Sequence, residues 1–195
     1  NLIKWSKQFC NLNKITLDIG AHTGTYAILL ADSSKQVICF EPQKSTYYAL
    51  CGSVALSNLY DKVECYKIAL GAPEQIGFKN LNIVSEDGGG STLIQPNTTQ
   101  HNNKLSILRT EEVEIKTLDS FNLNNIGFIK MDVEDNELNV LKGAIDTLKN
   151  SGFPPILFES NTINKPLFSF LNTELPYQIS PINGYNNMFL ATRLK

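Results

Sequence analysis

Apolar positions along this chain follow two periods. Short apolar runs of strand length lie at Ile15–Ile19, Gln36–Phe40, about 63–68, 128–131 and 155–158. Between them the period lengthens to that of a helix. Tyr47, Leu50, Cys51 and Val54 fall at i, i+3, i+4 and i+7, one apolar face. Leu138, Leu141, Ile145 and Leu148 stripe a helix over about 136–150, and Gly152 stands where a helix commonly ends. A further helical run covers 25–32, and a short one 166–171. Pro42 disfavours helix at Glu41 and suits the first turn of the helix that follows. Strand and helix in alternation predict βαβ units, a mostly parallel sheet and right-handed crossovers. The last two strands, near 177–180 and 188–192, are separated by the turn residues Asn183-Gly184 and are expected to pair antiparallel. The middle is less regular. Residues 112–116 alternate like an exposed-edge strand, 85–91 read as a flexible loop, and 95–104 are polar.

Composition narrows this picture. The 195 residues suit one domain over 1–195, at roughly 150 residues per domain, and the first residue is Asn1, as in a piece trimmed or cut from a longer protein. Seventeen Lys and Arg against 19 Asp and Glu leave a net charge of −2, so no general attraction to nucleic acid or to an anionic membrane is expected. No apolar run approaches the ~20 residues of a membrane span, and no signal peptide is visible. Cys10, Cys39, Cys51 and Cys65 form no C-x-x-C pair and the chain has 2 His, so no zinc site is expected. Cys39 and Cys65 sit in apolar runs as small hydrophobes, and four cysteines are too few for a disulfide scaffold. A reducing compartment, the cytoplasm, follows as the expectation.

The strand ends carry the candidate chemistry. In open α/β sheets, ligands bind beyond the carboxyl ends of the strands. Asp18 stands near the end of the first strand, Glu41 ends the second, Asp132 and Glu134 follow the fourth, and Glu159 ends the fifth. Gly20-x-x-x-Gly24 bridges the first strand and the next helix. A dinucleotide fingerprint would read G-x-G-x-x-G, but His22 occupies the middle glycine's place. A carboxylate at Asp18 suits a ligand's ammonium group and repels pyrophosphate, which argues against an NAD-dependent oxidoreductase. Glu41 can accept from ribose hydroxyls. S-adenosylmethionine has both ends.

Leu17 to Gly24 together with Phe40-Glu41-Pro42 resemble the first two motifs of class I methyltransferases. Ile129-Lys130-Met131-Asp132-Val133-Glu134, with Glu137 to Ala144 after it, is similar to the signature of the FkbM-type methyltransferase family. Ala69-Leu70-Gly71, Gly89 to Leu93, Thr117-Leu118-Asp119 and Phe158-Glu159 stand where that family has them. The resemblance covers nearly the whole chain. It departs at Asp135, where the family has glycine, and at His22, where it often has Asn.

The resemblance implies a Rossmann-like α/β fold: a seven-stranded methyltransferase sheet, mostly parallel, with a C-terminal antiparallel hairpin and helices on both faces. It implies S-adenosylmethionine held by Asp18, Gly20, Ala21, His22, Gly24, Glu41, Pro42 and Ala69. The expected reaction is O-methylation of a sugar, glycan or natural product. Asp132 is expected as base or acceptor-orienting group, with Glu134 beside it and Glu159 as a third acid on the rim. Lys130 either pairs with these acids or covers the sheet edge with its stem. Gly89, Gly90 and Ser91 belong to a lid over cofactor and substrate. His22 is a loop hydrogen-bonding residue or an alternative base, and His101 is a surface residue. No metal motif is spelled; were Mg²⁺ used, Asp132 and Glu159 would be its oxygen donors. Partners are a small-molecule or glycan acceptor, with no nucleic acid and no membrane, and the oligomeric state is left open. Two alternatives stand beside this reading: a methyltransferase-fold binding domain without turnover, and the less favoured oxidoreductase. RNA or protein methylation is disfavoured by the acidic balance and by the lack of an aromatic–basic stripe.

Overall fold

The short apolar runs of the sequence form strands. A computed structural model describes residues 2–85, 89–93, 107–160 and 164–194. Its elements in chain order are α1 (Leu2–Ser6), β1 (Ile15–Ile19), α2 (Thr25–Leu30), β2 (Gln36–Phe40), α3 (Lys44–Leu56), β3 (Val63–Tyr66), β4 (Ala69–Leu70), β5 (Gly77–Ile83), β6 (Arg109–Lys116), β7 (Ile126–Met131), α4 (Glu137–Lys142), α5 (Ile145–Asn150), β8 (Ile156–Glu159), α6 (Lys165–Ser169), β9 (Tyr177–Pro181) and β10 (Met188–Arg193).

Among the described residues, seven strands pair in the order β3-β2-β1-β7-β8-β10-β9. β3, β2, β1, β7 and β8 run parallel, and β10 pairs antiparallel with both β8 and β9. The expected hairpin is therefore present, with Leu190 opposite Ser180. The strands are nearly continuous in apolar residues because both faces are covered. On one face Leu17, Ile19, Phe40, Ile129, Met131 and Phe158 pack against Val140, Leu141, Leu148, Leu167 and Leu171 of the later helices. On the other, Val37, Cys39 and Val63 meet Ala27 of α2 and Leu50 and Val54 of α3. Strand order reverses direction between β1 and β7, the switch point at which such sheets bind ligands.

Four expectations change. The third strand ends at Tyr66, not Ile68, and Ala69–Leu70 join a second sheet of order β4-β6-β5. The segment 112–116 is not an edge: β6 is the central strand of that sheet, paired antiparallel with β5 and parallel with β4. Its alternation arises because Val113 and Ile115 point into an apolar cluster with Leu81 and Ile83 while the intervening acids face outward. β5 escaped the sequence reading because its first half, from Gly77 to Asn80, is polar or exposed. The helix expected over 136–150 is two helices, α4 and α5, which break at Gly143-Ala144. The apolar stripe continues through the break, so periodicity alone does not reveal it. Finally, α3 starts at Lys44, so Pro42 precedes the helix rather than opening it.

The break at Gly143 is a packing device. A Cβ there would lie 2.1 Å from the Gly71 carbonyl oxygen and 3.1 Å from Thr117 Cγ2. The Gly143 carbonyl accepts the Asp119 N–H at 2.9 Å. The second sheet is thereby pressed against α4. Gly52, in α3, has nothing within 4 Å of its virtual Cβ. Gly143→Ala should therefore cost about 1–3 kcal/mol through overpacking, whereas Gly52→Ala should stabilise by roughly 0.5–1 kcal/mol through helix propensity. Urea midpoints of the two variants check both signs.

Candidate active site

Gly20 sets the floor of the site. It ends β1 at φ +75° and its virtual Cβ would sit 1.8 Å from the Asp132 carbonyl oxygen, so any side chain there would separate the loops after β1 and β7. Its N–H and that of Ala21 both donate to the Phe40 carbonyl, which ties the loop to the end of β2. His22 follows at φ +51°, a conformation in which Asn and His are tolerated better than most residues. That backbone suits the His that stands here. Gly24 lies at φ +91°, and its virtual Cβ would meet Leu50 Cδ1 at 2.8 Å, so this glycine serves the turn and the packing against α3.

A cavity of about 310 Å³ opens over these loops. Gly20, His22, Glu41, Pro42, Ala69, Lys130, Asp132, Glu134, Gly89 and Ser91 all line it. Asp18, Ala21, Gly24 and Glu159 are not among its lining residues. The sequence reading missed its apolar wall, made in part by Phe40, Ile68, Leu81 and Leu93, together with Val133 and Asn136. Leu81 and Leu93 come from β5 and the segment paired to it, and no local pattern could have pointed to them.

Glu41 is buried, and its carboxylate is oriented by two backbone donors, His22 N–H at 2.9 Å and Gln43 N–H at 3.0 Å. Burial nevertheless raises its pKa above the usual carboxylate value. A carboxylate oxygen has two lone pairs, so both oxygens retain accepting capacity.

Lys130 projects from β7 on the same face as Asp18, its register partner on β1. Its Nζ donates to the Gly20 carbonyl at 3.0 Å, lies 3.5 Å from Asp132 Oδ2 and 3.8 Å from Asp18 Oδ1, and stands 5.3 Å from the ring centre of Tyr26. The pairing alternative for Lys130 is thus the observed one. Asp18 is 1% exposed; its Oδ2 accepts the Ala27 N–H of α2 at 3.0 Å, and Oδ1 has no hydrogen-bond partner among the described residues. Burial raises the Asp18 pKa to about 6, against the opposing pull of Lys130.

Glu134 and Asp135 take φ values of +51° and +72°. The glycine that the resemblance leads one to expect at position 135 would fit that backbone without strain, and Asp is among the side chains that tolerate it. The turn aims Glu134 across the cavity, where Oε1 accepts the Gly90 N–H at 3.2 Å. Thr92 Oγ1 donates to the Glu134 carbonyl at 3.0 Å, and Ser91 Oγ donates to Gln43 Oε1 at 2.7 Å. Asn82 and Thr92 exchange both backbone hydrogen bonds. The segment 89–93 is thus a strap from the second sheet across the cavity mouth. Residues 86–88 of the expected lid, and His101, lie outside the described residues. Burial, then the Asp132 charge, raises the Glu134 pKa, and the same two causes raise that of Glu159. Among the described residues no group of three or more His, Cys, Asp or Glu is arranged to hold a metal ion, and no helix is long and apolar enough to cross a membrane.

Glu137 supports this turn from below. It is 3% exposed, it accepts the Val133 N–H at 3.1 Å, and burial lifts its pKa to about 7. Asp18 and Glu137 both bind protons more tightly folded than unfolded, so between about pH 4 and 7 stability should fall as pH rises. Glu41, Glu134 and Glu159 act in the same direction, and Asp32, lowered by Lys7 at the surface, opposes them. The urea midpoint should accordingly be higher at about pH 5 than at about pH 8, and Glu137→Gln should shrink the difference by up to about 3 kcal/mol.

Comparison with known proteins adds the family. No curated protein sequence gives a significant match. Among solved structures, the methyltransferase FkbM of Methylobacillus flagellatus aligns with a TM-score of 0.61 at 18% identity, over 93% of this chain and 44% of that one. This chain thus spans less than half the length of that protein. An rRNA methylase from Streptococcus thermophilus aligns at 0.59 and 11% identity, over 100% of this chain and 95% of that one. A precorrin-6y C5,15-methyltransferase from Geobacter metallireducens aligns at 0.59 and 12%, over 99% and 87%. At such identities these likenesses concern the fold, a class I methyltransferase sheet. The model of the methyltransferase FkbM domain matches residues 18–185, a span that opens at the Asp18 carboxylate and closes in the β9–β10 turn, and the chain belongs to the FkbM methyltransferase family.

Proposed function

We propose that the protein is an S-adenosylmethionine-dependent O-methyltransferase whose acceptor is a hydroxyl of a sugar, glycan or natural product. The observation that carries this reading is one cavity lined by Glu41 on one side and by Asp132 with Lys130 on the other. The cofactor supplies a methyl group on a sulfonium centre. The residues present fit it: Glu41 is oriented to accept from ribose hydroxyls, and Phe40, Ile68, Leu81 and Leu93 offer an apolar wall for a base. Asp18, outside the lining, acts on the cofactor loop through Lys130 and the Gly20 carbonyl.

A hydroxyl becomes an adequate nucleophile as its proton leaves. Asp132 is partly exposed, with its side chain at 35% of full accessibility, and so can meet an acceptor. Lys130 holds it from behind. Glu134 contributes by keeping the strap of Gly90 and Ser91 across the cavity mouth, which excludes water and aligns the acceptor. The free state of all four cysteines fits a reducing, cytoplasmic setting. Asp135 takes φ +72°, a backbone that glycine adopts freely, so the departure at this position is compatible with the turn.

Glu41→Ala should weaken S-adenosylmethionine binding at least about tenfold in calorimetry, since hydrogen bonds to a charged group contribute about 1.5–3 kcal/mol. Unchanged affinity in a folded Glu41→Ala protein would reject this cofactor placement. Asp132→Asn keeps the shape without the proton acceptor. It should lower the saturated rate on an accepted hydroxyl by about 10²–10⁴-fold and leave cofactor affinity within a few-fold. Measuring both proteins with and without a chelator separates a base from a metal ligand. In the second case chelation would silence the wild type and Mg²⁺ would restore it.

A further inference from the structure

The strap 89–93 is anchored on two sides of the cavity. On one side Glu134 accepts the Gly90 N–H with its carboxylate and the Thr92 hydroxyl with its carbonyl. Ser91, between them, bonds to the opposite side: its Oγ donates to Gln43 Oε1 at 2.7 Å, in the loop after β2. Gln43 is 1% exposed. It is the N-cap residue of α3, yet its side chain accepts from no helix N–H. Its amide oxygen takes the Ser91 hydroxyl instead, and its Nε2 donates to Ser45 Oγ at 3.1 Å. The N–H of the same residue donates to Glu41 Oε1 at 3.0 Å. One buried residue therefore holds Glu41 with its main chain and the strap with its side chain. Lys44 N–H, next along the chain, donates to Glu111 Oε2 on β6 at 3.0 Å, which ties this loop to the second sheet as well.

Given the cofactor placement at Glu41, on which this inference rests, we propose that Gln43 is a positioning residue through which the cofactor loop and the strap seat each other, so that S-adenosylmethionine binding and strap seating are thermodynamically linked. The physical cause lies in the burial of the amide. If Ser91 leaves, the Gln43 oxygen stays buried without its donor, and such a group is costly until it moves to meet water. That movement carries the Gln43 N–H away from Glu41, which loses one of the two backbone donors that orient it. The linkage also runs in reverse, as any coupling between two binding equilibria must. Gly89, Ser91 and Leu93 line the cavity, so a bound cofactor touches the seated strap in a way the unseated strap does not offer. Those differential contacts are what shift the equilibrium. At its other anchor the strap meets Glu134, two residues beyond Asp132. The cofactor thereby helps to complete the side of the cavity assigned to the acceptor.

The test is calorimetric titration of the full chain with S-adenosylhomocysteine, with amide exchange of residues 90–92 followed alongside. Ser91→Ala removes the hydroxyl from a partly buried strap position, and Gln43→Met keeps the side-chain length without its polar atoms. Each should weaken binding about three- to tenfold, the worth of one neutral hydrogen bond. The double variant should bind no more weakly than the weaker single one, because both changes break the same contact. Ser91→Thr keeps the hydroxyl and should bind as the wild type does. In the wild type the ligand should slow exchange at Gly90 and Thr92, and in Ser91→Ala this slowing should shrink, a readout that mere loss of stability in α3 would not move. Should Gln43→Met fail to fold, Ser91→Ala with its Ser91→Thr rescue decides. Glu41→Ala separates the two layers of the reading. If it binds as tightly as the wild type, the cofactor placement falls and this proposal with it. If Glu41→Ala is weakened while Ser91→Ala binds like the wild type, or while the losses in the double variant add, the link through Gln43 alone is overturned.

Discussion

The buried ammonium of Lys130 joins two loops that must keep their spacing. It donates to the carbonyl of Gly20, which ends β1, and stands between Asp132 at the end of β7 and Asp18 in β1. Gly20 makes the arrangement possible because its missing side chain leaves room for the Asp132 carbonyl. A buried ion pair of this kind adds little net stability, because desolvation offsets attraction, yet removing one partner costs about 3–5 kcal/mol by stranding the other. Its value lies in position. A shift of either loop would break the Gly20 hydrogen bond and leave Asp18, already short of one partner, deeper in debt to desolvation.

The same burial that orders the site works against stability near neutral pH. Glu41, Glu134 and Glu137 are held by backbone N–H donors, but in each case burial outweighs those bonds and raises the pKa. A cavity that excludes water strengthens the fields of its carboxylates and also makes them costly to ionise. The fold offsets this with covered apolar strands on both faces of the sheet. The second sheet supplies the cavity's outer wall through Leu81 and, by the pairing of Asn82 with Thr92, carries the strap that Glu134 anchors.

The two faces of β2 serve different packing, Ile38 and Phe40 on one and Val37 and Cys39 on the other. Glu41, just past the end of β2, lines the cavity, while Cys39 is buried in the apolar cluster under α3. Glu41 N–H donates to the Tyr66 carbonyl, which ties the loop after β2 to the end of β3. The solved neighbours carry the same sheet with acceptors as different as ribosomal RNA and a precorrin by name. Acceptor choice in such a fold belongs to the loops at the strand ends rather than to the sheet.

The sequence by itself determined the parallel sheet, its C-terminal hairpin and the acids at the strand ends, because periodicity, turn residues and strand-end position are local properties. Glu41, Lys130, Asp132 and Glu134 were readable on that basis, and they line one cavity. The tertiary structure alone decided how they are used. It set Asp18 beneath the cavity as the partner of Lys130, because register across β1 and β7 is a non-local pairing. It split the helix at Gly143, where a remote carbonyl from Gly71 needs the space of a side chain. It made β6 central, since β5 and β4 reach it from distant parts of the chain. It also turned Glu134 toward Gly90, because two successive left-handed residues redirect the backbone in a way no hydrophobic pattern records.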